Sequence, residues 1–368
     1  MSIQTALSKS LGMTYPIFQA PLAGGGDTPA LVAAVCEAGG LGFIGAAYLT
    51  AEQIGETARK VQTQTLRPFG INLFAPVPMP APPENPQPAL ERVAPFFAEL
   101  GLEPPVVPAP ACDSFDQQLI AALESGAAVF SFTVGILPKS AIEAIKRCGM
   151  FLIGTATTVE EAIGLENAGV DAIVTQGSEA GGHRATFGAD FDAGLVGTIS
   201  LVPQVVDAVT VPVIASGGIM DGRGIAAALA LGASAVQLGT AFLTCDEAGV
   251  PEVYKKAILD AREDQTRLTR AFSGRPARGI VNRFMLEVED NETADAILPF
   301  PFLSPLPTVP RAVPPLGAAP DERLVRPTAT EIPRALASRR RCARAGSADS
   351  ATETVESRQR YRCVLLPT

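Results

Sequence analysis

The feature that most constrains this chain is a recurrence of eight short, β-rich apolar runs. Each ends in glycine or a polar residue, and each is followed by a helical pattern. The runs are YPIFQA at 15–20, LGFIG at 41–45, PFGINL at 68–73, AAVFSF at 127–132, MFLIGT at 150–155, DAIVT at 171–175, VPVIAS at 211–216 and AVQLGT at 235–240. Runs this uniformly apolar suit strands covered on both faces, as in a parallel sheet wrapped by helices. The intervening segments carry helix punctuation. Thr158 and Glu161 have capping-box spacing, Val159, Ala162 and Ile163 are expected on one face, and Gly169 supplies a left-handed stop. Thr50 with Gln53 repeats the opening signal, and Asp221 can cap a helix running to about Leu231, ended by Gly232. Eight βα units in alternation predict an α/β fold, a closed (β/α)8 TIM barrel over about residues 1–302. An open doubly wound sheet is the alternative. It usually carries a GxGxxG turn after its first strand, and none follows here.

Two stretches break the rhythm. Residues 75–111 are proline-rich and follow the third strand, so they read either as a lid over the barrel mouth or as a passive surface excursion. Residues 303–368 are rich in Arg and Pro, hold Tyr361 as their sole aromatic, and show no sustained apolar face at helical spacing. That tail is expected to pack loosely.

Bulk properties exclude several function classes. A formal net charge of -9 disfavours nucleic acid and anionic membrane, both of which need a basic surface. No apolar stretch reaches the roughly 18–20 residues needed to span a bilayer, and no basic, apolar leader opens the chain. The expectation is a cytoplasmic protein. Six cysteines without a CxxC pair and a single histidine leave no disulfide framework and no Cys/His metal site. No metal is expected.

In a barrel, chemistry sits at the C-terminal ends of the strands. Here these ends read Gln19 to Gly26, Gly70-Ile-Asn72, Gln176 to Arg184, Ser216-Gly217-Gly218 and Gln237-Leu238-Gly239-Thr240. Glycines after the last two strands let backbone N–H groups approach an anion closely. Barrels place phosphate sites there, so these loops predict a phosphate cradle rather than only tight turns. One phosphate without a dinucleotide fingerprint suggests a mononucleotide. Asn72 and Gln176 offer amides to a heterocycle, or else cap loop backbone. His183 alone among the side chains titrates near neutrality at its unperturbed value of about 6.5. Two preceding glycines give it room to reach a pocket, which favours an active-site role over a structural one. Arg275 and Arg278 could attract an anionic substrate, but are read as solvated surface residues.

At these residues the chain resembles the nitronate monooxygenases, once called 2-nitropropane dioxygenases. The resemblance runs from about Tyr15 to Phe302. GSEAGGHR at 177–184 is its most specific element; PIFQAPLAGG, PFGINLF, ASGGI, AVQLGTAF and SGRPARGIVNRF support it in order. It implies that Asn72, Gln176, Gly181, Gly218, Gln237, Leu238, Gly239 and Thr240 contact FMN, and that His183 is the active-site histidine. The implied reaction is oxidation of an alkyl nitronate, such as propionate 3-nitronate, with dioxygen to a carbonyl compound and nitrite. Two rivals stand beside it: an FMN barrel that uses NAD(P)H to reduce an enoyl thioester or quinone, and a flavin-binding barrel without turnover. Relatives in such a family continue past the barrel into helices commonly carrying tryptophan, which this chain lacks entirely. The tail is therefore read as a frameshift product, with a disordered extension as the alternative.

Overall fold

The computed structural model describes residues 4–76, 83–107, 114–289 and 297–300. The expected tail from 303 on lies outside the described residues. Eight parallel strands form one sheet: β1 (Ile17–Gln19), β2 (Phe43–Gly45), β3 (Gly70–Phe74), β4 (Val129–Thr133), β5 (Phe151–Ala156), β6 (Ala172–Gln176), β8 (Val213–Ser216) and β9 (Ala235–Leu238). β7 is a two-residue strand, Gly182–His183, outside this sheet. The order β1-β9-β8-β6-β5-β4-β3-β2 closes on itself through a parallel bridge between Phe18 and Leu41. There the Leu41 amide donates to the Ile17 carbonyl at 3.0 Å, and the Gln19 amide to the Leu41 carbonyl at 2.9 Å. The sheet is thus a closed barrel, and each strand begins and ends within two residues of its predicted run.

Helices alternate with the strands. α1 (Ala6–Ser10) precedes β1. α2 (Pro29–Glu37), α3 (Ala51–Gln62), α4 (Gln87–Glu99), α5 (Phe115–Leu123), α6 (Lys139–Arg147), α7 (Val159–Ala168), α8 (Thr198–Ala208) and α9 (Gly222–Ala230) follow in order. Thr50 and Gln53 form a reciprocal capping box, and Asp221 accepts from the Arg223 and Gly224 amides at 2.9 and 3.2 Å. Gly169 takes φ +97 at the end of α7, and Gly232 takes φ +98 just past α9. Thr158 caps α7 as expected, but Glu161 does not return its carboxylate to that cap. Its partners are given below. Ile163 is exposed rather than on the buried face.

The barrel interior is filled by Phe18, Phe43, Val129, Ile153, Val174 and Ile214, with Leu7 and Met13 of the N-terminal segment joining the same cluster. Each fully buried side chain of this size contributes about 1.5–3 kcal/mol. A second apolar layer lies between strands and helices, and includes Ile54, Val61, Ile71, Leu119, Ile145 and Leu165.

Beyond β9 come α10 (Thr240–Leu243), α11 (Glu252–Asp260), the antiparallel pair β10 (Thr266–Thr269) and β11 (Ala277–Ile280), and α12 (Arg283–Glu289). β11 also pairs with β7, so a three-stranded antiparallel sheet stands beside the barrel mouth. The sequence patterns did not suggest it, because the two-residue strand is too short to carry a period. The proline-rich stretch after β3 also differs from a bare loop: its described part contains α4. Pro88 falls in the first turn, where a missing N–H costs nothing. Val93, Phe96 and Phe97 of α4 pack on Ala271, Phe284 and Val288, and Arg92 donates to the Val288 carbonyl at 3.0 Å.

Candidate active site

The loops that follow β6, β8 and β9 meet along one rim. Gly217 and Gly218 take φ +118 and +67, a region that L side chains rarely occupy. A Cβ on Gly218 would stand 3.1 Å from the Glu179 Cβ, and a Cβ on Gly181 would stand 3.0 Å from the Thr240 hydroxyl. A side chain at either position would press on the neighbouring loop, so glycine lets the loops after β6, β8 and β9 approach one another closely. The Glu179 carboxylate accepts from the Thr198 amide at 2.9 and 3.0 Å. The Thr198 hydroxyl lies between that carboxylate at 2.9 Å and the Gly217 carbonyl at 3.0 Å and shares its one hydrogen between them, tying the start of α8 to the glycine turn.

The long loop after β6 is held by side chains instead. Gln176 donates to the His183 carbonyl at 3.0 Å and accepts from the Ala185 amide at 3.0 Å. Arg184 is fully buried, and its guanidinium donates to the carbonyls of Gly177, Gly194 and Gln176 at 2.6, 2.8 and 3.1 Å. Glu161, also buried, accepts from the Phe187 and Gly188 amides at 2.6 and 2.8 Å with one oxygen. Its other oxygen accepts from the Thr157 amide and hydroxyl at 2.6 and 2.8 Å. Here the capping-box spacing also serves the loop: one carboxylate oxygen reaches across to residues 187–188, while the other reaches back past the Thr158 cap to Thr157. Arg275, arriving from the turn between β10 and β11, donates to the carbonyls of Arg184 at 2.9 Å and Thr186 at 2.6 Å. Burying charges without such partners would cost several kcal/mol each.

His183 sits on this loop, half-buried, with Nε2 at 2.6 Å from the Ser273 hydroxyl. The Arg275 amide donates to that same hydroxyl at 3.3 Å. Burial, and after it the Arg275 guanidinium, push the His183 imidazole down to about 4. Because the charged form is the disfavoured one, the ring is neutral at pH 7. Burial also draws Arg184 down to about 10, which leaves it charged.

An aromatic wall adjoins the histidine. The His183 and Phe300 rings lie 6.2 Å apart, Phe300 and Phe74 6.1 Å, and Phe74 and Tyr48 5.6 Å, each pair edge to face. Phe74 ends β3 and Tyr48 follows β2, so both come from strand ends. Phe300 comes from the C-terminal segment, which passes so close over Gly274 that a Cβ there would meet the Leu298 carbonyl at 2.1 Å.

The residues singled out from sequence are distributed as follows. Gly181 lies against Thr240, Gly218 against Glu179, and Gly239 caps the helix that Thr240 begins. Asn72 lies on β3, buried, and donates to the Ser131 hydroxyl at 2.9 Å. Gln237 is half-buried beside Ser216 in register. The Leu238 side chain is buried in the core and its carbonyl accepts from the Ala20 amide at 2.8 Å, while the Gln176 amide holds loop backbone. Ser273, Glu161, Arg184 and the aromatic wall were missed. Arg275 and Arg278 are half-buried rather than solvated, and Arg278 donates to the Ser178 carbonyl at 3.1 Å. For Arg184, Ser273, Arg275 and Arg278 the signal was present in the segments GSEAGGHR and SGRPARG, whose pairing joins His183 to Ala277; Glu161 and the aromatic wall lie outside both. Among the described residues no group of three or more His, Cys, Asp or Glu could hold a metal ion, and no helix is long and apolar enough to cross a membrane.

Comparison with known proteins gives a consistent result. The family model for nitronate monooxygenase matches residues 4–304. A probable nitronate monooxygenase of Staphylococcus saprophyticus is 43% identical over 308 residues, covering 83% of this chain and 86% of that one. One from Staphylococcus haemolyticus is 45% identical over 288 residues, covering 78% and 80%. Among solved structures, nitroalkane oxidase from Streptomyces ansochromogenes is similar with a TM-score of 0.81 at 39% identity, covering 92% of this chain and 99% of that one. FabK from Thermotoga maritima is similar with a TM-score of 0.62 at 33% identity, covering 78% of each.

Proposed function

The chain belongs to the nitronate monooxygenase family, and is an enzyme of that oxidoreductase class; on that premise we propose that it binds FMN and oxidises small alkyl nitronates with dioxygen. The products are a carbonyl compound and nitrite, with propionate 3-nitronate as a representative substrate. The observation that carries this reading is the meeting, on one barrel rim, of glycine turns after the last two strands with a neutral, half-buried histidine and an aromatic wall.

The residues present fit FMN. Its phosphate suits the glycine turns at 217–218 and 239, where the backbone carries no Cβ atoms to bar a close approach to its amides. Asn72 donates to Ser131 through Nδ2 and keeps its carbonyl oxygen for a ring N–H. Gly181 and Thr240 lie against each other beside these turns, and Gln237 stands two residues before Gly239 on β9. When bound, FMN supplies the redox chemistry, taking electrons from the nitronate and passing them to dioxygen.

The protein's own contribution is placement. Gln176, Arg184, Glu161 and Arg275 hold the loop so that His183 stays in one position against Phe300. With Nε2 on Ser273, Nδ1 is the nitrogen left for substrate: in the tautomer that protonates it, it donates a hydrogen bond to a nitro oxygen without adding charge. In the other tautomer it takes an α-proton if a neutral nitroalkane is offered. The rings of Tyr48, Phe74 and Phe300 exclude water and favour a short alkyl chain.

The same proposal divides the chain into a barrel at 1–302 and an appended tail at 303–368; the end of the family match at residue 304 supports that division. Reading the gene in its other frames from about codon 302 tests the origin of the tail. A helical, tryptophan-containing continuation is expected, and its absence in both frames would reject a frameshift. The function itself is tested by mixing the purified protein with substrate without oxygen. Bleaching of the flavin by propionate 3-nitronate but not by NADH is expected. The reverse pattern would make the protein a nicotinamide-dependent reductase.

A further inference from the structure

Arg275 presents an imbalance that the loop contacts do not resolve. Its Nε and Nη2 donate to two backbone carbonyls, which are neutral acceptors. Among the described residues it forms no ion pair. Glu161 is the carboxylate that acts on it most strongly, but Glu161 acts on Arg184 as well, and its oxygens bond backbone and hydroxyl donors rather than either guanidinium. Nη1 has no partner among the described residues. It is also absent from the fully enclosed atoms left without one, so it is not sealed off. A half-buried guanidinium with no carboxylate in contact is costly to keep, which makes it a candidate for a charge the protein does not itself supply.

Its position says which charge. Ser273 bonds both the His183 ring and the Arg275 amide, and the Arg184 amide donates to the Pro276 carbonyl at 2.8 Å, so Arg275 and His183 are held side by side. Arg275 is also in electrostatic reach of Tyr48, on the aromatic wall. Its contacts lie with residues 184–186, whereas the glycine turns pack on Glu179 and Thr240. The histidine is neutral, so it cannot balance an anion.

Resting on the nitronate reading above, we propose that Arg275 is the electrostatic anchor of the substrate, its free Nη1 pairing with the planar, anionic nitro group. His183 then orients that group while Arg275 carries its charge. The loop carbonyls fix the guanidinium plane, so little side-chain freedom is lost on binding.

Nitrate is a planar oxyanion that cannot react, and titrating sodium nitrate calorimetrically into the full-length protein at fixed ionic strength reads the anion site alone. Flavin content is followed in parallel by visible absorbance. The wild type is expected to bind nitrate, and Arg275→Met to bind it about 10- to 100-fold more weakly with flavin retained, as expected for loss of one charged hydrogen bond. Arg275→Lys, which keeps the charge but cannot bridge both carbonyls, is expected to recover most of the affinity. Equal nitrate binding by Arg275→Met and wild type would overturn the proposal, as would no nitrate binding by the wild type. An Arg275→Lys protein as weak as Arg275→Met would show that the residue only anchors the loop. Loss of flavin from Arg275→Met with nitrate binding intact would assign the charge to the cofactor. Nitrate binding that depends on Arg275 in a protein that does not oxidise nitronates would uphold the anion site and reject the function.

Discussion

Two parts of the same rim are built by opposite means. Along β8 and β9 the wall is made by what is missing: glycines at 217, 218 and 239 present backbone without side chains. Along β6 it is made by buried side chains, with Arg184, Arg275, Glu161 and Gln176 holding one loop through hydrogen bonds to its backbone. The difference matches the two tasks. A phosphate is bound by many equivalent N–H groups and needs room, whereas a small substrate needs one or two groups held without play. Failure on the glycine side should therefore appear as lost cofactor. Failure on the loop side should appear as lost rate or lost stability with cofactor retained.

The sharpest way to break that contrast is Gly218→Leu. A side chain there is strained at φ +67 and points at Glu179. The variant is expected to purify almost free of flavin while its circular dichroism stays that of the wild type. Full flavin content would remove the phosphate assignment from this turn.

His183→Asn probes the other side. Flavin content should be unchanged and kcat/KM for a nitronate should fall by about 10²- to 10⁴-fold, the usual cost of removing an acid/base or anion-binding group. Near-normal turnover would leave His183 a structural residue. Because it is the chain's only histidine, its titration can be followed by NMR without assignment. With the ring pushed down to about 4, the protonated form is the one the site disfavours. The imidazole should stay neutral from pH 8 to about pH 5 and gain its proton only below that. Arg275→Met, which removes a nearby positive charge, should move the inflection upward. A wild-type inflection near 6.5 would show that the ring stands in water.

The smallest expected effect is on stability. Arg184→Met fills similar space but leaves the carbonyls of Gln176, Gly177 and Gly194 without their donor. Urea unfolding should show a loss of about 2–5 kcal/mol. A loss under about 0.5 kcal/mol, the usual size for a surface substitution, would mean that the loop is held elsewhere.

The contrast also explains what was readable from sequence. Strands of the barrel are local: each apolar run carries its own pattern and its own stop, and Gly169 and Gly232 end helices for reasons internal to the segment. Glycine pairs after β8 are local too. The loop side depends on residues that meet only in three dimensions. His183 finds Ser273 ninety positions later, and Phe300 reaches the mouth only because α4 and the turn at Gly274 carry the segment there. Arg275 looks like any surface arginine until the pairing of β11 with β7 turns it inward. Glu161 carried a true helix-start signal, yet its carboxylate serves a loop 26 residues away. Such double use has no one-dimensional signature.

The account as a whole rests on one reaction at this rim. Oxygen uptake by the purified protein, with nitrite measured in the same samples, tests it most directly when propionate 3-nitronate is the substrate. The account predicts a yellow protein that consumes oxygen on nitronate addition and releases nitrite in step, without any requirement for NADH or added metal. A yellow protein that takes up no oxygen and forms no nitrite with any small alkyl nitronate would contradict it.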